Sequence, residues 1–281
     1  LTLPVPTLGI PPARPEVSLL TVSRRLPDNT EWRSGIRHRQ TFCPTTGRWP
    51  LCPGPTDEKD TGGCQDTAEF YPFGLYVPSE ADWVLEEREP EHAGELRAQM
   101  EAATPYLMAR ELWTGSTNTG GEVNPSLQAP LPGEVDEFNA AHVIVGPLNP
   151  VDAIGALLAA YDDGTSGLGP PTLHVPKRVI PLLLQTGVLT REGSTYRVGD
   201  ARVSPGPGYP FGVGDFGPKT AANPDGAAAL ATQVFFYVTG PVEYEHGPID
   251  VLPEEVARWF DRRTNRWVAV AERQAIYRFD P

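Results

Sequence analysis

The longest helical stretch of this chain divides two regions that cannot hold a long helix. Within residues 82–113, Leu96, Met100, Ala103, Leu107, Met108 and Leu112 recur at helical spacing. Elsewhere proline and glycine set the limits, with 32 and 28 of the 281 residues. Together they exceed a fifth of the chain, against a usual share near ~12%. Proline fixes φ and removes a donor, and glycine opens turns. The chain is therefore built from short elements and extended loops around one spine. Pro90 suits a first-turn position, so the helix is expected to begin near it. Glu91 and Glu95 favour that end through the dipole. Pro105 should bend the helix or cost it one backbone bond. Gly115 is the expected stop.

Ahead of the spine, residues 1–30 hold Pro4, Pro6, Pro11, Pro12, Pro15 and Pro27. These exclude a long helix, although residues 16–26 suit a short helix or strand. Leu3, Val5, Leu8 and Ile10 are too apolar for a disordered tail and sit on a segment that cannot fold alone. Such an arm packs either on its own domain or on a neighbour. The opening has prolines and no basic flank, so it does not read as a secretory signal. Residues 31–80 mix Trp32, Phe42, Trp49, Phe70, Tyr71, Phe73 and Tyr76 with glycines and prolines. They read as a long hairpin or loop with its tip at 54–63.

Charge is unevenly spread. The chain carries a formal −13, which disfavours nonspecific binding to a phosphate backbone. Yet residues 14–48 hold seven arginines against Glu16, Asp28 and Glu31, a local +4. Residues 82–101 hold seven acids against Arg88 and Arg97. The two stretches are electrostatic complements. The expected pairing is between copies: Arg33, Arg37 and Arg39 against an acidic face that includes Glu91 and Glu95. The alternative is an ordinary solvated surface.

After the spine the elements shorten. Residues 143–145 are a strand candidate. Asn149 caps a helix opened by Pro150, with Asp152 in its first turn and Ile154, Leu157, Leu158 and Tyr161 facing inward. Residues 173–175 read as a buried strand. Pro176 then starts a helix through Val179, Ile180, Leu183 and Leu184, with Pro181 loosening its first turn and Gly187 ending it. Residues 195–203 read as one strand leading into a glycine-rich turn. Residues 231–239 and 242–246 are strands broken at Gly240–Pro241. Residues 253–260 suit one or two helical turns, and 267–279 a long final strand with strict alternation.

The chemistry-bearing residues form no catalytic pattern. No two of His38, His92, His142, His174 and His246 lie at metal-binding helical spacing. His174, inside an apolar strand, reads as a packed and hydrogen-bonded residue. Cys43, Cys52 and Cys64 are widely spaced in glycine- and proline-rich loops, with no zinc pattern and an odd thiol left over. The glycines at 206, 208, 212 and 214 lack the lysine of a phosphate loop and fail the dinucleotide spacing. Tight backbone geometry explains them better. No Gly-x-Ser-x-Gly elbow exists. Asp162 with Asp163, and Glu254 with Glu255, are adjacent rather than opposed across a substrate. Lys59, Lys177 and Lys219 are the only lysines, too few for a nucleic-acid surface. No apolar run approaches the ~20 residues of a membrane span. Arg258, Arg262, Arg263, Arg266, Arg273 and Arg278 flank the final strands, where a fixed guanidinium fork suits interface ion pairs or intramolecular ones.

The order of these motifs carries a resemblance. Leu112-Trp-Thr-Gly is followed by Asn149-Pro-Val-Asp-Ala-Ile, Leu173-His-Val-Pro and the glycine turn from Val203 to Gly214. Then come Val238-Thr-Gly-Pro-Val and the run from Asn265 to Ala271-Glu-Arg. The arrangement resembles head proteins of tailed bacteriophages, especially those of actinobacterial hosts and prophages. More widely it resembles the major capsid fold that encapsulin shells share. The implied class is α+β. The implied units are an N-terminal arm (1–30), an extended loop (31–80), a spine helix (90–113) within a first peripheral segment (81–139), an axial domain (140–230), and peripheral return strands (231–281).

The resemblance implies a shell subunit without enzymatic activity or cofactor. It implies self-assembly into hexameric and pentameric rings of an icosahedral capsid. Decoration, scaffolding and portal proteins would be further partners, and double-stranded DNA would be enclosed without sequence-specific binding. The location would be the virion, with assembly in the host cytoplasm. Arg262, Arg263 and Arg266 would join the arm's arginines at copy–copy contacts. Some members crosslink through a Lys–Asn bond, and Lys59 is the lysine near the loop tip. Two other classes stay open: a minor head or decoration protein, and a cysteine- or carboxylate-dependent hydrolase acting on a bacterial surface. A trimeric tail-fibre module is a further structural rival.

Overall fold

The architecture is organised by one strand. In this computed structural model, which describes residues 18–27, 31–39, 67–82, 89–114, 124–127, 149–165, 169–207, 234–252, 260–261 and 266–279, the strand Arg266–Arg278 runs 13 residues. Its alternation is the expected one. Ala269, Ala271, Arg273, Ala275, Tyr277 and the following Phe279 are buried, while Glu272 and Gln274 are exposed. Alanine at three inward positions leaves room for a helix to lie close against the sheet.

In chain order the elements begin with α1 (Leu19–Val22), β1 (Arg24–Arg25), β2 (Ile36–Arg39), β3 (Thr67–Phe70), β4 (Phe73–Asp82) and α2 (Glu89–Thr114). They continue with α3 (Pro150–Thr165), β5 (Thr172–Pro176), a 3-10 turn (Lys177–Val179), α4 (Ile180–Gln185), β6 (Thr190–Glu192), β7 (Thr195–Val198) and β8 (Ala201–Gly206). They close with β9 (Tyr237–Thr239), β10 (Glu243–His246), β11 (Asp250–Leu252), β12 (Phe260–Asp261) and β13 (Arg266–Arg278).

β13 is the centre of a six-stranded sheet. β4 pairs antiparallel along one edge, from Asp82 opposite Arg266 to Phe73 opposite Ala275. β10, β11 and β12 pair along the other edge. β1 adds to β10 in parallel. The spine helix α2 lies on this sheet. It has 26 residues, a length of about 39 Å. Leu96, Met100, Met108, Leu112 and Trp113 are buried along it. Pro105 does not break it. One turn is tied from outside instead: Thr104 Oγ1 donates to the Met100 carbonyl at 2.7 Å, and Arg273 donates to Thr104 Oγ1 at 3.1 Å.

Three expectations are sharpened here. The spine begins at Glu89, beside Pro90 as expected, and Asp82 belongs to β4. Residues 73–82 form a sheet strand, with Phe73 and Leu75 buried and Gly74, Tyr76 and Pro78 exposed. Of the hairpin and loop alternatives for 31–80, this part is sheet. Residues 18–26 pack on their own body: Leu19, Val22 and Leu26 are buried, and β1 extends the sheet. For this part of the arm the intramolecular reading is correct, because three apolar side chains find a core at home. Residues 1–17, with Leu3, Val5, Leu8 and Ile10, lie outside the described residues.

The middle of the chain makes a separate five-stranded sheet, ordered β6-β7-β8-β5-β9. All five residues of β5 are buried. β5 runs parallel to β8 and antiparallel to β9. Ile154, Leu173, Val175, Val179, Ile180, Leu183, Leu189 and Val203 form its own core. Asn149 caps α3 as expected, accepting from the Val151 and Asp152 amides at 3.0 Å. The expected single strand 195–203 is two strands, β7 and β8, turned at Gly199 with φ +59°. Pro181 sits at the start of α4 and opens it rather than disturbing it, with Ile180 and Leu183 buried and Leu184 exposed. Gly240–Pro241 is more than a break. Tyr237–Thr239 pairs in the second sheet and Glu243–His246 in the first, so the chain crosses between sheets there. The candidates at 143–145, 231–233 and 253–259 lie outside the described residues, and Phe260 begins β12.

Candidate assembly surface

Several charged groups on the first unit are paired within the chain among the described residues. On the β2–β3 ribbon Arg37 Nε meets Glu69 Oε1 at 2.5 Å. Tyr71 Oη donates to the other Glu69 oxygen at 2.5 Å. The Tyr71 bond, followed by the Arg37 guanidinium, holds the Glu69 carboxyl below its usual range. Arg25 pairs with Glu245 at 3.4 Å, and Arg278 Nε with Glu243 at 2.6 Å.

Arg273 is the most deeply placed of these cations, at 7% exposure. It reaches from β13 to Glu101 on α2 at 2.7 Å as well as to Thr104. Its inward position follows from the alternation over residues 271–275 of β13, and its long side chain bridges strand and helix. His246 on β10 lies near this group. Burial first, and then the charges of Arg273 and Arg25, lower its proton affinity, against the opposing pull of Glu101.

Tyr277 Oη donates to the Pro125 carbonyl at 2.8 Å. Its pKa is pushed well up by burial and by the nearby Glu111. Asn124 uses both ends of its amide on the backbone of Tyr71, at 2.7 and 2.9 Å. These bonds fasten the 124–127 segment under the sheet.

In the second sheet His174 is the expected packed histidine, fully buried and 2.9 Å from Thr239 Oγ1. Thr239 spends its proton on the Gly240 carbonyl at 2.9 Å, so His174 Nε2 is the donor. Its Nδ1 meets no acceptor for a second proton among the described residues. Burial lowers the pKa to about 3.

The eight arginines and glutamates expected at copy–copy contacts separate as follows. Arg37 is bound to Glu69 of its own chain. Arg33 is exposed, lies 6.0 Å from the Trp32 ring centre, and lines an open depression of about 510 Å³ with Gly74, Tyr76, Asp250, Glu272 and Gln274. Glu95 is exposed on α2. Arg39, Glu91 and Arg266 are placed by backbone only, in β2, α2 and β13. Arg262 and Arg263 lie outside the described residues, as do Cys43, Cys52, Cys64 and Lys59. The structure thus brings Arg33 to a surface depression and leaves Glu95 elsewhere on the spine. Arg273 and Arg278 take the intramolecular alternative. The depression was missed in sequence because β4 was not read as a strand. Alternation of Phe73, Leu75 and Val77 was the available signal.

Among the described residues no group of three His, Cys, Asp or Glu side chains is arranged to hold a metal ion. Nor is any described helix long and apolar enough to cross a membrane.

No protein-family profile matches the chain, and no curated protein matches it. Solved structures do. The capsid of an empty GTA particle is similar at 11% identity and TM-score 0.48, covering 94% of this chain and 86% of that one. A structure of Microbacterium phage Oxtober96 is similar at 10% identity and TM-score 0.48, with 99% and 90% coverage. The capsid of Ralstonia phage GP4 is similar at 12% identity and TM-score 0.47, with 95% and 88% coverage.

Proposed function

We propose that the chain is a structural subunit of an icosahedral phage capsid, with the tailed-phage major capsid fold. One observation carries the reading: the order in which the chain builds its two sheets. An early segment, β4 and α2 form the first unit. Residues from α3 to β9 then form a second sheet. The chain returns at Gly240–Pro241 to complete the first unit with β10 to β13. This order supports the reading of arm, loop, spine, inserted axial domain and returning peripheral strands that the motif order implies.

In this reading residues 1–30 are the arm, 31–80 include the extended loop, and 81–139 carry the spine at Glu89–Thr114. The axial domain is 140–230 with β9 attached to it, and 231–281 supply the return. Assembly proceeds by repeated burial of complementary surfaces in hexameric and pentameric rings, where repetition multiplies modest pairwise energies. The chain supplies no bond chemistry and needs no cofactor. DNA is enclosed rather than gripped, as befits a net charge of −13. Scaffolding, portal and decoration proteins complete the particle in the host cytoplasm. Arg33 and Arg39 of one copy, with Arg262, Arg263 and Arg266, face acids of the next, Glu91 and Glu95 among them.

Electron microscopy and sedimentation of the purified full chain test the reading. Closed shells of uniform diameter with tens to hundreds of copies are expected. A monodisperse monomer at high concentration and low salt overturns it. A few copies per isolated particle would instead make this a minor head protein.

A further inference from the structure

The β2–β3 ribbon has no larger sheet to lean on. Among the described residues its strands pair only with each other, and a lone pair of strands is marginal in water. What holds its root therefore sets where it points. At the root Ile36 stands opposite Phe70, and both are buried in the first core. The Phe70 ring meets Tyr277 and Phe279 edge-on, with ring centres 6.1 and 5.7 Å apart. Gly35, at φ +97°, lets the backbone close on the Phe70 carbonyl, where a Cβ would come within 3.2 Å. Apolar contact is non-directional, so it fixes where the root sits better than which way the ribbon runs.

Direction comes from a chain of polar contacts that starts on the last strand. Tyr277 is 1% exposed. Its hydroxyl donates to the Pro125 carbonyl at 2.8 Å, with the Glu111 carbonyl farther off at 3.4 Å. One residue back, Asn124 is 2% exposed and holds Tyr71 by both backbone groups. Its Oδ1 accepts from the Tyr71 amide at 2.7 Å, and its Nδ2 donates to the Tyr71 carbonyl at 2.9 Å. One side chain thus does for Tyr71 what a neighbouring strand would do. Tyr71 follows β3 directly, and its hydroxyl reaches back to Glu69, which Arg37 holds across the ribbon. The Leu127 amide donates to the Leu112 carbonyl at 2.9 Å and moors the segment on the spine. A buried polar group without its partner is costly, so each of these groups constrains the next.

We propose that residues 124–127 are a keystone that carries the placement of β13 to the β2–β3 ribbon, so that the ribbon takes its direction only after the last strand has docked. Asn124 and Tyr277 are the positioning residues of this device, and neither belongs to the ribbon. Its consequence for assembly rests on the shell reading above: the loop between β2 and β3 is aimed at a neighbour only once the body behind it is finished.

The test is amide hydrogen exchange on the dilute, unassembled full-length chain. Tyr277→Phe cuts the link and keeps the ring that packs on Phe70. Exchange over 36–39 and 67–71 is expected to speed by roughly tenfold, about what one buried hydrogen bond is worth. Residues 266–276 and 172–176 are expected to keep wild-type rates. Asn124→Asp, which keeps the acceptor and loses the donor, should act in the same way, and if it fails to fold Tyr277→Phe decides alone. Val251→Ala is the control, because it loosens the same sheet from β11. It is expected to leave the ribbon unchanged. Wild-type ribbon rates in Tyr277→Phe overturn the keystone. So do equal acceleration across the first sheet and a ribbon freed as much by Val251→Ala. Light scattering reads the assembly consequence: Tyr277→Phe should assemble several-fold more slowly than Val251→Ala, and equal rates overturn that consequence. A failed exchange result leaves the shell reading standing. A wild type that never assembles removes the shell reading and leaves the exchange result to decide the keystone.

Discussion

The two cores are built on opposite plans. The first gathers side chains from Leu19 to Phe279, across nearly the whole chain. The second is drawn from residues 154 to 203, with Val234 and Phe236 beside it. The first is also laced with polar ties between distant segments: Arg273 to Glu101 and Thr104, Tyr277 to Pro125, Asn124 to Tyr71. The second is mainly aliphatic around a neutral histidine. Long-range closure makes the first unit dependent on chain completion. Local closure makes the second more self-sufficient but leaves it with a group that cannot take a proton.

Trp113 is where the plans meet. It belongs to the first core, touches Gly206 of β8, and stands edge-on to Tyr237 with ring centres 5.4 Å apart. Trp113→Ala should cost about 3–5 kcal/mol and split a single urea transition into two. One transition retained, with little loss, would mean the units are not coupled through this ring.

Acid is the next lever. An unfolded chain protonates His174 below the ordinary imidazole value of 6.5, while the folded chain resists until about 3. Between those values the unfolded state holds more protons, so stability falls as pH falls. The loss by the bottom of the window is of the order of a few kcal/mol. His174→Gln should flatten the dependence of the second unit's urea midpoint between pH 6.5 and 4. An unchanged slope would point to other groups.

Gly206→Ala is smaller in effect. A Cβ there would come within 2.0 Å of Trp113 Nε1, so strand or ring must move, at about 1–3 kcal/mol. The expected signature is a weakened coupling of the two transitions, with each unit still folded by circular dichroism. Smallest is Asn149→Ala, which removes the α3 cap at about 1 kcal/mol. It should lower the second transition and leave the first unmoved.

What sequence revealed follows the same division. Local signals were reliable: the Asn149–Pro150 cap, the buried 173–175 run, the alternation of β13 and the packed His174 all stand as expected. Gly199–Asp200 was a hairpin signal passed over, because apolar residues continue on both sides. β4 was missed because Gly74, Pro78, Glu80 and Asp82 weaken its strand character. Only pairing with β13 makes it a strand. The Arg273–Glu101 tie spans 172 positions, and no local pattern predicts which glutamate a strand arginine will find. The same is true of the depression lined by Arg33, Tyr76, Asp250 and Glu272, which exists only once the register of three strands is known.

The position of β13 in its sheet has a consequence for synthesis. The strands that pair with it, β4, β10, β11 and β12, all leave the ribosome first, yet none can meet it until residues 266–278 follow. A chain cut short by stalled translation or a protease thus lacks the piece on which its neighbours pair. Such fragments cannot reach the finished fold, so strand order alone sets complete chains apart from truncated ones.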